Sequence, residues 1–207
     1  MNGTSANLGE FPWQAQLITF WVDGDRHLCG GTLISSKHVL TAAHCFVNWI
    51  TNMAIPKEDI KVITGRLSKY EYEPQQVTSK VAKIIIHPDY SGPFTLNNDI
   101  ALLELVEPVQ FNRNNKMACL GTEDYSNGKV AISGWGIGSE TNLKWAYLQL
   151  ITRDICSEIM AEAPMPPGMP RPIVTEKMIC ARDNDFVSTG CFGDSGGLKI
   201  NFSCNSI

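Results

Sequence analysis

Gly193-Asp194-Ser195-Gly196-Gly197 is the stretch whose reading decides the rest of the chain. A serine sits among glycines, directly after an aspartate. A serine hydroxyl is a weak nucleophile by itself; it needs a base to take its proton and donors to hold the oxyanion that forms next. Glycines on both sides let another backbone approach closely and leave N–H groups free to point at that oxyanion. A lone Gly-x-Ser-x-Gly is most simply a turn with an exposed serine. A run of five such residues is more specific, and it calls for a matching base elsewhere in the chain.

Two further stretches supply the partners. His44 lies in Thr41-Ala42-Ala43-His44-Cys45, and Asp99 in Asn98-Asp99-Ile100-Ala101-Leu102-Leu103. Taken singly, a histidine or an aspartate in such a setting is more often structural. Together with Ser195 they resemble the triad of the chymotrypsin/trypsin family of serine peptidases. The resemblance runs through nearly the whole chain. It includes Gly9-Glu10-Phe11-Pro12-Trp13-Gln14, Leu28-Cys29-Gly30-Gly31-Thr32-Leu33-Ile34 and Ser133-Gly134-Trp135-Gly136. The nucleophile elbow of α/β-hydrolases also reads Gly-x-Ser-x-Gly, but there the order is Ser, acid, His and a helix comes after the serine. Here the order is His, Asp, Ser. Leu198-Lys199-Ile200-Asn201-Phe202 alternates apolar and polar residues like a strand.

Many short strands separated by turns indicate an all-β chain. Strands are expected over Gln14–Val22, Leu28–Ser35, Lys37–Thr41, Ile60–Gly65, Val77–Ile86, Asp99–Leu105, Lys129–Gly136 and Tyr147–Thr152. A helix is expected over Thr152–Ala163, with Ile155 and Ile159 four apart and Asp154 near its start. Pro164, Pro166, Pro167, Pro170 and Pro172 rule out helix or central strand in the next segment. The resemblance implies more: two antiparallel six-stranded β-barrels, the first over about 1–108 and the second over about 109–207 and incomplete at its C-terminal end. The cleft would lie between them. It also implies disulfides Cys29–Cys45 and Cys156–Cys180. A bridge closing the first of these loops is worth ~3 kcal/mol in the chain-entropy picture.

By the same resemblance, His44 takes the Ser195 proton, Asp99 fixes the imidazole tautomer, and the N–H groups of Gly193 and Ser195 form the oxyanion hole. No cofactor is implied. The residue six before the nucleophile lies at the base of the family's primary pocket, where an acid selects Lys or Arg. Here it is Thr189, followed by Gly190, with Phe192 at the rim. A neutral base leaves a cationic substrate side chain without a buried partner, so apolar or neutral side chains are expected. Some relatives bind calcium where this chain has the loop Lys69–Gln76. Two glutamates there, Glu71 and Glu73, are ordinary solvated residues on this reading, and no metal is expected.

The formal net charge of -4 is mild and gives no sign of nucleic-acid or membrane binding. No apolar run reaches the ~20 residues of a membrane-spanning helix. Seven cysteines without a Cys-x-x-Cys pair point to an oxidising, extracellular compartment. Protein or peptide substrates and protein protease inhibitors are the implied partners.

The chain also departs from the family pattern. Relatives are activated by cleavage before an Ile-Val-Gly-Gly-like start, and the new ammonium pairs with the aspartate before the nucleophile, here Asp194. Alignment on Ala6 and Gly9 places Met1 at the second residue of that start, one residue short. Asp194 is then expected to turn to solvent and take the Gly193 backbone with it. The sequence ends twelve residues beyond Ser195, before the Ser-Trp-Gly wall of the family's pocket, and Leu198 replaces the usual proline. Cys119 matches a position that bridges to the pro-segment in two-chain relatives. The family partner of Cys191 is not among the 207 residues, and Cys204 has no evident counterpart. The chain as given is therefore expected to be inactive or weakly active. The alternative is a catalytically silent homologue or truncated isoform serving as a binding or regulatory module. Such homologues usually lose the Ser, His or Asp, and this chain retains all three.

Overall fold

Ala101, Leu103 and Leu105 alternate with Leu102 and Glu104, and every second side chain of that strand is buried. A similar period of two recurs over His38–Thr41 and through much of Val77–Ile86. The computed structural model describes residues 3–21, 24–48, 51, 53–92, 95–121, 127–136, 141–164, 171, 173–183, 194–197 and 199–200. Its strands are β1 (Thr4–Ser5), β2 (Gln14–Phe20), β3 (Arg26–Leu33), β4 (His38–Thr41), β5 (Ile60–Thr64), β6 (Val77–Ile86), β7 (Ala101–Leu105), β8 (Lys129–Gly134), β9 (Lys144–Ile151), β10 (Cys180–Arg182) and β11 (Lys199–Ile200). Among the described residues one α-helix, α1 (Arg153–Glu162), comes after β9.

The closed barrel runs β2-β3-β4-β7-β6-β5, all antiparallel. Leu17, Leu33, Val39, Phe46, Ile60, Val62, Leu103 and Leu105 fill it. The β6–β7 register shifts between Val81 and Lys83. That bulge bends the long strand β6, as barrel closure requires. Strand β2 is buried on both faces, because its polar side chains meet partners outside the barrel. Gln14 Oε1 accepts from Ser133 Oγ at 2.7 Å, and Gln16 Oε1 accepts from Arg66 Nη1 at 2.8 Å.

The second half forms a five-stranded antiparallel sheet ordered β1-β9-β8-β11, with β10 also paired to β9. Val130, Leu148 and Leu150 are its core, joined by Ile132 and Ala181. Among the described residues this sheet does not close. The N-terminal segment belongs to it spatially: Thr4 pairs with Trp145 and Ser5 with Lys144. Ala6 and Phe11 pack with Trp135 and Leu143. Of the strand expected from the alternation over 198–202, Lys199–Ile200 is present as β11 against β8; Leu198, Asn201 and Phe202 lie outside the described residues.

Helix α1 starts where the sequence places it. Thr152 has extended backbone angles and its side chain accepts from Ile155 N, which satisfies one of the free N–H groups of the first turn. Ile155 and Ile159 remain 41% and 38% exposed, and within the helix only Cys156 is buried. The helix is held through Cys156, disulfide-bonded to Cys180 at the start of β10, rather than through an apolar stripe.

Candidate active site

The pairing of β4 with β7 brings the first two site residues together. Thr41, at the end of β4, is the partner of Ala101, at the start of β7. In an antiparallel pair, the residues after the end of one strand lie beside those before the start of the other. His44 sits in the one-turn 3-10 helix Ala43–Cys45 just beyond β4, and Asp99 lies just ahead of β7. Asp99 Oδ1 accepts from the His44 backbone N–H at 2.8 Å, and Oδ2 accepts from His44 Nδ1 at 2.6 Å. An ionised carboxylate can only accept, so Nδ1 carries the proton and Nε2 keeps its lone pair in the neutral ring. The side chains are 32% and 18% exposed, so the imidazole is reachable while the carboxylate is largely sheltered.

Each member is held from behind. The Cys29–Cys45 disulfide ties the helical turn of His44 to β3. Asn98 and Leu96 adopt left-handed φ values of 53° and 51°, uncommon outside glycine. Asn98 Nδ2 donates to Asp89 O at 2.9 Å, and Ile100 N donates to Asn98 O at 2.8 Å, closing a tight turn around Asp99. Thr175 Oγ1 donates to Asn97 Oδ1 at 2.8 Å. The segment that leads into β10 therefore braces the Asp99 loop.

Tyr90 packs beside this pair against the barrel core. Its hydroxyl is buried without a hydrogen-bond partner among the described residues. Burial, then the negative charge of Asp99, pushes the phenol from 10.0 up to about 12. Because the folded value exceeds the unfolded one, this stability is fully present below pH 10 and is lost as pH rises towards about 12. Tyr90→Phe should remove that alkaline loss, and at neutral pH it should leave stability unchanged or raised because it deletes an unsatisfied buried hydroxyl. Urea unfolding of both proteins at neutral pH and across the alkaline range checks this; a clear neutral-pH destabilisation in the Phe variant would contradict it.

Ser195 reaches the site on a turn strapped to the first barrel. Gly30 N donates to Ser195 O at 2.7 Å, and Thr41 Oγ1 donates to Gly30 O at 2.8 Å. Ser195 O also lies 3.8 Å from Cys45 Sγ, and His44 Nε2 lies 4.0 Å from the same sulfur. The serine backbone and the free imidazole nitrogen thus flank one atom. Glycine is required twice here. Gly196 has φ 80°, and a Cβ on it would lie 2.6 Å from Gly30 O and 2.8 Å from Ala42 N. A Cβ on Gly30 would lie 3.0 Å from Gly197 N. Both glycines lie in stretches that the sequence marks out, but this mutual contact left no local signal there.

Asp194 departs from its expected orientation. Its Oδ1 accepts from Gly136 N at 2.7 Å, and a Cβ on Gly134 would collide with the carboxylate. The carboxylate faces the second sheet rather than solvent, because a backbone N–H is available there to meet it. Gly193, Thr189, Gly190, Phe192, Cys191 and Cys204 lie outside the described residues. Cys119 is a free, exposed thiol.

Ligand atoms of Cys29, His44 and Cys45 lie within 4.8 Å of one another. Both sulfurs are consumed in the disulfide, so this trio offers no thiolate to a metal. A cation already occupies the underside of the Lys69–Gln76 loop. Arg66 is buried, with Nη1 on Gln16 and Nη2 donating to Glu71 O at 2.9 Å. Burial pushes its guanidinium below the ordinary value, and Glu73 acts against that.

With this geometry the chain can be set beside known proteins. The Trypsin family model matches residues 1–201. Ovochymase-2 of Mus musculus is 32% identical over 205 residues, covering 95% of this chain and 31% of that protein. Clotting factor C of Tachypleus tridentatus is 30% identical over 213 residues, covering 96% of this chain and 20% of that protein. The chain thus spans less than a third of the length of these relatives. In structure, HL collagenase superposes with a TM-score of 0.78 at 32% identity, over 97% of this chain and 80% of its own. Sequence motifs, barrel and relatives converge: the chain belongs to the trypsin family of serine proteases.

Proposed function

We propose that this chain is the catalytic domain of a secreted serine endopeptidase that works through Ser195, His44 and Asp99. The observation that carries the reading is the doubly bonded His44–Asp99 pair beside the Ser195 turn strapped to β3. Ser195 Oγ attacks the substrate carbonyl carbon while His44 Nε2 takes its proton. The carbonyl oxygen becomes an oxyanion held by the N–H groups of Gly193 and Ser195, where one donor is worth ~3 kcal/mol. Collapse expels the amine, which leaves with the proton from His44, and an acyl group remains on Ser195. Water, deprotonated by His44, then releases the acid. Asp99 holds the imidazole and stabilises its charged form throughout.

Further assignments belong to the same reading. Activation cleavage supplies an ammonium to pair with Asp194. Thr189, Gly190 and Phe192 form a neutral pocket that takes apolar or small side chains. Cys119 is a tether for a pro-segment, and protein inhibitors compete with protein substrates for the cleft. The two disulfides support an extracellular location.

A panel of peptides differing only in the residue before the cut tests this. In the activated protease, rather than the chain as given, turnover blocked by a serine-directed phosphonate is expected, with apolar residues preferred over Arg and Lys. A clear Arg preference would remove the neutral pocket. Absence of any phosphonate-sensitive turnover would remove the peptidase reading itself.

A further inference from the structure

Lys69 is the most unusual cation among the described residues. It is 5% exposed, among the most buried charged side chains described, and lies in a segment connecting barrel strands β5 and β6. Its Nζ donates to Gly136 O at 2.7 Å and lies 5.7 Å from the Tyr70 ring centroid. Taking an ammonium out of water is expensive, and a neutral residue of similar length packs the same space without that penalty. The charge therefore calls for a role beyond packing.

Its position supplies one. Gly136 is gripped from both sides: its C=O by Lys69, and its N–H by Asp194 Oδ1 at 2.7 Å. Gly136 has φ 55°, a left-handed conformation that glycine adopts without penalty. The surrounding backbone is clamped by the same segment of the first half. Trp135 Nε1 donates to Leu67 O at 2.8 Å, Leu143 N donates to Leu67 O at 2.9 Å, and Lys69 N donates to Thr141 O at 2.6 Å. Residues 67–69 thus hold Trp135, Gly136, Thr141 and Leu143, with the ammonium on Gly136, the residue that Asp194 also bonds. Asp194 directly precedes Ser195.

We propose that Lys69 is a positioning residue for the nucleophile: its buried charge locks Gly136 and so favours Asp194 turned inward, the orientation in which the Ser195 turn is set for reaction. This deepens the peptidase reading and rests on it for the catalytic consequence. Lys69 does not touch substrate. It acts through Gly136 and Asp194, so removing its charge should lower the fraction of molecules in the competent arrangement. That effect reads in kcat more than in KM.

The test compares the purified protease with Lys69→Met, Lys69→Gln and Lys69→Arg variants. Lys69→Met should lower kcat by about tenfold or more with KM within about twofold. The Gly136 amide, which reports the bond to Asp194, should exchange its hydrogen about tenfold faster. Lys69→Arg keeps a charged donor and should restore both. Lys69→Gln keeps a donor without charge, and should show the Lys69→Met pattern even where Lys69→Met folds poorly. Unchanged kcat and unchanged Gly136 exchange in the neutral variants would overturn the proposal. So would a loss confined to the thermal midpoint. If the activated protease without substitutions turns over no peptide, the peptidase reading falls, and Gly136 exchange still decides whether Lys69 controls the Asp194 contact.

Discussion

Ser195→Ala, made in the activated protease, is expected to lower kcat by about 10⁶, leaving only the residual catalysis that binding and the oxyanion donors provide. The size of the effect comes from the chemistry. Without the hydroxyl there is no acyl-enzyme, and His44 has no proton to take. The fold should be unaffected. The strap runs through the Ser195 carbonyl to Gly30 N at 2.7 Å and through the bond from Thr41 Oγ1 to Gly30 O, and none of these atoms belongs to the removed hydroxyl. Steady-state kinetics with an unfolding curve on the same preparation checks both halves. Activity within about tenfold of the parent would reject Ser195 as the nucleophile.

Asp99→Asn is expected to lower kcat by about 10⁴, as the same change does in serine proteases with this triad. Asp99 makes two bonds to His44, from the backbone N–H at 2.8 Å and from Nδ1 at 2.6 Å. An amide can accept one of them, but its NH₂ group cannot accept the other. The side chain that now forces Nδ1 to donate would then favour the opposite tautomer, with the proton on Nε2. The ring would stay in place and lose its function as base. Reaction of Ser195 with a phosphonate should slow in parallel with peptide turnover. A variant with turnover near that of the parent would mean that the His44–Asp99 pair is structural.

Strands β6 and β7 of the first barrel were legible because they are half-buried and largely alternate. Val77–Ile86 has the bounds that its pattern gives, and Ala101–Leu105 begins two residues later than expected, because the tight turn around Asp99 occupies the difference. Strands β1 and β10 were not legible: two or three residues carry no period. Strand β9 extends back to Lys144, beyond its expected start at Tyr147, because Gly134 and Ser133 on β8 and the N-terminal strand β1 extend its pairing.

The candidate site was legible where a single residue type suits a single chemical role, as with a histidine, an aspartate and a serine among glycines. Contact between distant segments lay outside reach. Nothing local in Leu67-Ser68-Lys69 announces a buried ammonium on Gly136, and nothing in Asp89 announces the Asn98 bond that shapes the Asp99 turn. The inward turn of Asp194 was missed for the same reason, since its acceptor role depends on a glycine far away in sequence. Tyr90 gave no signal either. Its raised pKa depends on a charge brought beside it by the β4–β7 pairing.

The central claim is that Ser195 becomes covalently acylated with the help of His44. It is tested most directly by trapping the acyl-enzyme. The activated protease is mixed with an activated ester of an apolar amino acid, quenched in acid and digested, and the adduct is located by mass spectrometry. One acyl group per molecule on the peptide containing Ser195 is predicted, with none in Ser195→Ala and greatly slowed formation in His44→Ala. An adduct on another residue, or acylation of Ser195 at the same rate without His44, would contradict the account.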